Sequence, residues 1–214
     1  MNLSQIVNDQ SRVRVNTTIS SLSLCHIDSV VKIHLEAFPT FFLSFLGPRF
    51  LREFYTSFLT EPDSLGYVAS APDGRILGVV VGTSTPERHF VNLLRKRWWA
   101  FCLASITSVL RRPSCIVRLF RAVFYRGESP SGPARALLSS VAVDPDVQQA
   151  GVGKKLVIQW IDKARQCGLA GCYLTTDADG NDEVNAFYES LNWNIEKVYT
   201  TPEGRRMNRY VLDF

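Results

Sequence analysis

An apolar strand, a glycine-broken turn and an amphipathic helix follow one another over residues 134–168, and this unit limits what the chain can become. The run "ARALLSSVAVDP" is apolar at most positions, as a strand must be when both of its faces are covered. After the turn, Leu156, Val157, Trp160, Ile161 and Ala164 mark one face of a helix that reaches Gly168. Such a unit demands a layered fold with helices packed on a sheet. Between strand and helix stand Gly151 and Gly153, followed by Lys154 and Lys155. Glycine weakens a helix by about 0.5–1 kcal/mol relative to alanine, so two at a helix start call for a reason. One reason is a loose turn with solvated lysines. The other is an anion cradle, because a helix N-terminus offers free N–H groups and a positive dipole end.

The rest of the chain supplies the other layers. "TTISSLSL" predicts a first strand, and "CHIDSVVKIHLEAF" a helix with Ile27, Val30, Val31, Leu35 and Phe38 on its apolar stripe. His34 falls on that stripe, and Pro39 stops the helix. "GPRFLREFYTSFL" predicts a second helix with Pro48 in its first turn. "LGYVAS" and "RILGVVVGT" flank a Pro72-Asp73-Gly74 turn and read as a hairpin. Beyond the central unit come the strand "GCYLTTDA", the helix "NDEVNAFYESLNW" and two strands around Pro202-Glu203-Gly204. The order is β-α-α-β-β-(insert)-β-α-β-α-β-β, an α/β (α+β) class fold with a mixed central sheet flanked by helices. Residues 1–214 read as a single domain that carries a basic helical insertion over 84–133, just before the central strand.

Charge and cysteine usage narrow the class. The insertion holds nine Lys/Arg and two acids, so it carries the basic character of a chain whose net charge is +4. Five cysteines without metal or redox spacing predict reduced thiols in a cytoplasmic protein. His26, His34 and His89 form no metal-ligand pattern, so no metal is expected. The opening residues predict no leader peptide, and no run reaches the ~18 apolar residues of a membrane span.

Two phosphate-binding motifs fail on their own terms. A Walker loop needs glycine at 148 and Ser/Thr at 155, where Gln148 and Lys155 stand. A dinucleotide fingerprint needs a third glycine at 156, where Leu156 stands. What remains, Gln148-Gln149-Ala150-Gly151-Val152-Gly153 after a Val-Asp-Pro strand end, resembles the Gln/Arg-x-x-Gly-x-Gly/Ala acyl-CoA signature of the GNAT superfamily of acetyltransferases. "NDEVNAFYESLNW" is similar to that family's helix in which Asn181 is followed by Tyr188 and then a Gly-aromatic pair, here Asn192-Trp193. Asparagine can replace glycine there because it tolerates the left-handed cap. Val184 stands where the family often has alanine. The resemblance covers residues 134–195 well, the hairpin and first helices fairly, and the insertion not at all.

The resemblance implies acetyl-CoA as acetyl donor. Backbone amides from Gln149 to Lys154 are then expected at the pyrophosphate, with charge from Lys154 or Lys155. Val141, Ala142 and Val143 are expected along the pantetheine arm, Asn181 beside the CoA, and Tyr188 as the acid that protonates the leaving thiolate. A backbone amide of residues 139–143 is expected at the oxyanion. Glu36 is the candidate base, with His34, Ser139, Ser140, Asp177 and water as further proton carriers; on the apolar stripe His34 also reads as a packed core histidine. The acceptor implied is the primary amine of a small molecule. A weaker likeness to bacterial polysaccharide-associated members points to an amino sugar or a nucleotide-linked amino sugar. Alternatives are a non-catalytic acyl-CoA-binding module, or an acyltransferase at the inner membrane surface with a lipid-linked or hydroxyl acceptor. The uncharged run "WWAFCLASITSVL" between basic flanks suits peripheral membrane contact through residues 95–126. Nucleic acid is not an expected partner.

Overall fold

The computed structural model describes residues 16–111, 130, 133, 135–202 and 204–214. A seven-stranded mixed sheet runs in the order β1-β2-β3-β4-β5-β7-β6. Its strands are β1 (Thr18–Ser21), β2 (Ser64–Ser70), β3 (Ile76–Thr83), β4 (Arg135–Val143), β5 (Gly171–Asp177), β6 (Asn194–Thr200) and β7 (Arg206–Asp213). The helices are α1 (Ile27–Ala37), α2 (Phe42–Leu46), α3 (Pro48–Thr60), α4 (Pro86–Arg111), α5 (Val152–Gln166) and α6 (Asp182–Glu189). The expected order of elements is present; α2, a short helix in the aromatic stretch after Pro39, is the addition.

Two cores lie on opposite faces of the sheet. On one, Ile27, Val30 and Val31 of α1 and Leu51, Tyr55 and Phe58 of α3 meet Val68, Val79, Val81 and Ala142. On the other, Leu156, Val157, Trp160 and Ala164 of α5 meet Leu77, Val80, Ala136 and Leu138. The helical stripes read from the sequence are thus the surfaces that pack. Trp160 is fully buried, and its indole N–H donates to the Leu65 carbonyl at 3.3 Å. Gly82 makes room for it: a Cβ there would stand 2.5 Å from the Trp160 ring and 2.3 Å from the Leu137 carbonyl oxygen.

The insertion begins as one long helix. Phe101 of α4 meets Phe50 of α3 edge to face at 4.9 Å, and Ala104 joins Leu46 and Phe50 in a small third cluster. The buried Glu61 carboxylate accepts from Lys96 Nζ at 2.8 Å and Asn92 Nδ2 at 3.0 Å. The Lys96 bond is the main reason its pKa lies below the ordinary carboxylate value. The second insertion helix expected after Pro113 lies outside the described residues. No described helix is long and apolar enough to cross a membrane.

Candidate functional site

The site begins where the sheet opens. β4 pairs with β3 from Leu137 to Val143, but pairs with β5 only at Arg135↔Gly171, Ala136↔Cys172 and Leu137↔Tyr173. β5 continues to Asp177 against β7. Past Leu137, one edge of β4 therefore has no strand beside it among the described residues. A free edge offers main-chain donors and acceptors to an extended ligand with amide groups of its own. Val141, Ala142 and Val143, where the resemblance leads one to expect such a ligand, lie along this edge. The β3 register jumps from Val81↔Ser140 to Gly82↔Leu138, so Ser139 is the extra residue of a β-bulge.

The strand runs into the glycine turn. Asp144, buried, accepts from the Asp146 amide at 3.0 Å and pairs with Arg75 at 2.9 Å, which fixes the exit from β4. Gln149 has φ +64° and Gly151 φ +84°, both left-handed, and Gly151 is the N-cap of α5. Among the described residues nothing lies within 4 Å of a Cβ built at Gly151, so conformation is what calls for glycine there. Gly153 sits between Val143 and Phe187: its Cβ would be 3.4 Å from Val143 Cγ2 and 3.9 Å from Phe187 Cζ. The cradle, the end of β4 and α6 thereby converge. Gln148, Gln149 and Lys154 are exposed, while Val152 is buried as the first core residue of α5. The Ala150 amide donates to the Val147 carbonyl at 3.3 Å and is already engaged in the turn. The amides of Gln149, Gly151, Val152, Gly153 and Lys154 have no backbone partner among the described residues. Lys155 turns aside, its Nζ donating to Thr17 Oγ1 at 2.8 Å, so Lys154 is the lysine left for an anion.

Tyr188 projects from α6 into the α5-side core. It is 7% exposed, with its ring against Phe187, Trp193 and Tyr210. Its hydroxyl has no hydrogen-bond partner among the described residues, and burial raises its pKa well above the usual phenol value. A phenol in that setting stays protonated and so has a proton to give. Asn192 has φ +63°, as its place before Trp193 requires. Asn181 is the N-cap of α6 but does not use its side chain to cap it. Its amide donates instead to Thr176 Oγ1 at 2.7 Å and the Asp177 carbonyl at 3.2 Å. Asn185, which the motif did not single out, also reaches the Asp177 carbonyl at 3.2 Å and accepts from Asn208. Asp177 itself is held by Arg205 at 2.6 Å.

Glu36 is placed elsewhere. Its carboxylate is exposed, 3.8 Å from Lys32, and borders a surface groove with Arg49 and Arg52. No described contact joins it to β4 or to Tyr188. His34 is buried, and burial lowers its pKa to about 4. Its Nδ1 lies 2.7 Å from Tyr55 Oη, which in turn lies 3.4 Å from Ser140 Oγ. Tyr55 was not visible as a site residue because its partners are distant in sequence. Among the described residues no group of His, Cys, Asp and Glu can hold a metal ion.

Comparison with known proteins bears on the family and the fold. Residues 27–193 match the model of the acetyltransferase (GNAT) family. The chain is 38% identical over 74 residues to the [ribosomal protein bS18]-alanine N-acetyltransferase of Escherichia coli K12, over 33% of this chain and 49% of the relative. It is 36% identical over 74 residues to the mycothiol acetyltransferase of Kocuria rhizophila, over 33% of this chain and 24% of the relative. The chain thus spans about half or less of the curated relatives it matches. The crystal structure of the Escherichia coli ribosomal-protein-S18-alanine N-acetyltransferase superposes with a TM-score of 0.57 at 19% identity, covering 92% of this chain and 94% of that one. Neither relative is polysaccharide-associated by name, so that part of the sequence reading gains no support.

Proposed function

We propose that this chain, which belongs to the acetyltransferase (GNAT) family, transfers the acetyl group of acetyl-CoA to a primary amine. The observation that carries the reading is the free edge of β4 leading directly into the N-terminus of α5. The pyrophosphate binds at the amides of Gln149, Gly151, Val152, Gly153 and Lys154, with the Lys154 ammonium adding charge. Gln148 and Ala150 shape that turn. The pantetheine arm lies along Val141–Val143, and Asn181 holds the end of β5 on the CoA side. The amine nitrogen attacks the thioester carbon, a C–N bond forms, and the C–S bond breaks. Tyr188 gives its proton to the departing sulfur. The ammonium proton leaves to solvent water, since Glu36 opens onto the Lys32–Arg49 groove, and Tyr188 regains its proton from solvent.

Residues 1–214 act as one domain in this reading, with 84–133 as its insertion. One relative is by its name an N-acetyltransferase of an alanine on a ribosomal protein, which favours an amine acceptor without favouring an amino sugar. The test is amine-dependent thiol release from acetyl-CoA across peptide N-termini, polyamines and amino sugars. Release with one class supports the reading; calorimetric CoA binding without release by any amine leaves the non-catalytic CoA-binding module.

One observation favours a membrane-surface setting as well. Arg95, Trp99 and Leu103 follow at four-residue spacing on α4, with Trp99 55% and Leu103 59% exposed. Sedimentation with anionic vesicles that is unaltered by Trp99→Ala together with Leu103→Ala would remove this face as the contact.

A further inference from the structure

We propose that Ser140 is a side-chain hydrogen-bond donor to the acyl carbonyl at the free edge of β4, held in that role by Tyr55 and His34. This assignment rests on the acyl-CoA reading above. The bulge makes it available. Ala136 and Leu138 point to the α5-side core, whereas Ala142 points to the α1/α3 core. A regular strand would send 138 and 142 to the same face. The extra residue at 139 reverses the alternation and leaves two serines together on the α1/α3 face. There Ser140 meets Tyr55, and the Ser139 hydroxyl oxygen is buried without a partner among the described residues.

The direction of the chain follows from its far end. His34 is neutral, and its Nε2 is buried without a hydrogen-bond partner among the described residues. A buried N–H without a partner is rarer and costlier than a bare lone pair. The proton therefore sits on Nδ1, which donates to Tyr55 Oη across 2.7 Å. With its oxygen occupied that way, Tyr55 turns its own O–H toward Ser140 Oγ. Ser140 then accepts from the protein and keeps its proton for something else. Its side of β4 is half-buried and adjoins the unpaired edge. A fixed donor there strengthens as negative charge grows on the carbonyl oxygen during attack. An apolar trio would fill the same core without the cost of burying polar groups, so packing alone gives no reason for these three. Ser140 touches the substrate in this account; Tyr55 and His34 are positioning residues.

The experiment is calorimetry with acetyl-CoA and with CoA on the full chain, because only the former has the carbonyl. The ratio of the two affinities should fall about fivefold in Ser140→Ala, the weight of one neutral hydrogen bond. Tyr55→Phe should lower it similarly, and the double variant should lose no more than Ser140→Ala alone. A melting curve checks that each variant is folded; if Tyr55→Phe is not, Ser140→Ala decides. An unchanged ratio in Ser140→Ala overturns the assignment, and additive losses overturn the role of Tyr55. A wild-type chain that binds neither ligand overturns the acyl-CoA reading itself.

Discussion

Replacing Tyr188 by phenylalanine separates chemistry from packing. The ring is buried against Phe187, Trp193 and Tyr210, and phenylalanine keeps those contacts. The hydroxyl has no hydrogen-bond partner among the described residues, so removing it breaks no described bond in the fold. The oxygen is not among the fully buried unpartnered side-chain atoms, so it keeps contact with solvent and its loss strands no buried group. Stability of Tyr188→Phe should therefore stay within about 0.5 kcal/mol of the parent. Turnover should behave differently. A positioned acid contributes about 10²–10⁴ in rate, and the leaving thiolate needs one. The thiol-release rate at saturating acetyl-CoA should fall by about that factor while acetyl-CoA affinity stays within about twofold. Two assays suffice, calorimetry for binding and thiol release for rate. Parental turnover in a folded Tyr188→Phe would refute the acid role. A large loss of stability would refute the claim that the hydroxyl is not part of the fold.

Other perturbations read other parts of the account. Lys154→Glu should weaken acetyl-CoA binding at low salt by about tenfold or more, and the difference should shrink as salt rises; unchanged affinity would move the pyrophosphate away from this turn. Gly82→Ala should cost more than about 3 kcal/mol in chemical denaturation, since its Cβ would meet a carbonyl oxygen and the Trp160 ring at once. His34 has a folded pKa of about 4 against 6.5 for an exposed histidine, so the folded state binds fewer protons between those values. Stability should accordingly fall as pH drops from about 6.5 to about 4, by up to about 3 kcal/mol, and His34→Gln should flatten that decline. His89 shifts in the same sense and leaves a smaller decline in the variant.

The sequence was most legible where physics is local. The α5 stripe from Leu156 to Ala164, the Pro72-Asp73-Gly74 hairpin and the left-handed Asn192 all follow from short-range periodicity and backbone preference. So does Gly151 at the helix cap, a position its spacing alone marks out. The splay between β4 and β5 was not legible, because it depends on where strand pairing ends rather than on which residues form strands. The bulge at Ser139 hides for a similar reason: "LLSSVAV" reads as a regular strand, and only the β3 register shows the extra residue. The His34–Tyr55 contact joins residues 21 apart on separate helices, so periodicity could place each on a buried face but not join them. Glu36 shows the opposite failure. A carboxylate one residue from the end of α1 has the right chemistry for a base, yet helical phase turns it toward Lys32 and Arg49.

The central claim is that the free edge of β4 and the N-terminus of α5 together hold acetyl-CoA. Crystals grown with acetyl-CoA test it most directly. The account predicts pantetheine density along Val141–Val143 and the pyrophosphate at the amides of Gly151 to Lys154. Acetyl-CoA bound with its pyrophosphate on the Lys32–Arg49 groove, or away from both elements, would contradict it.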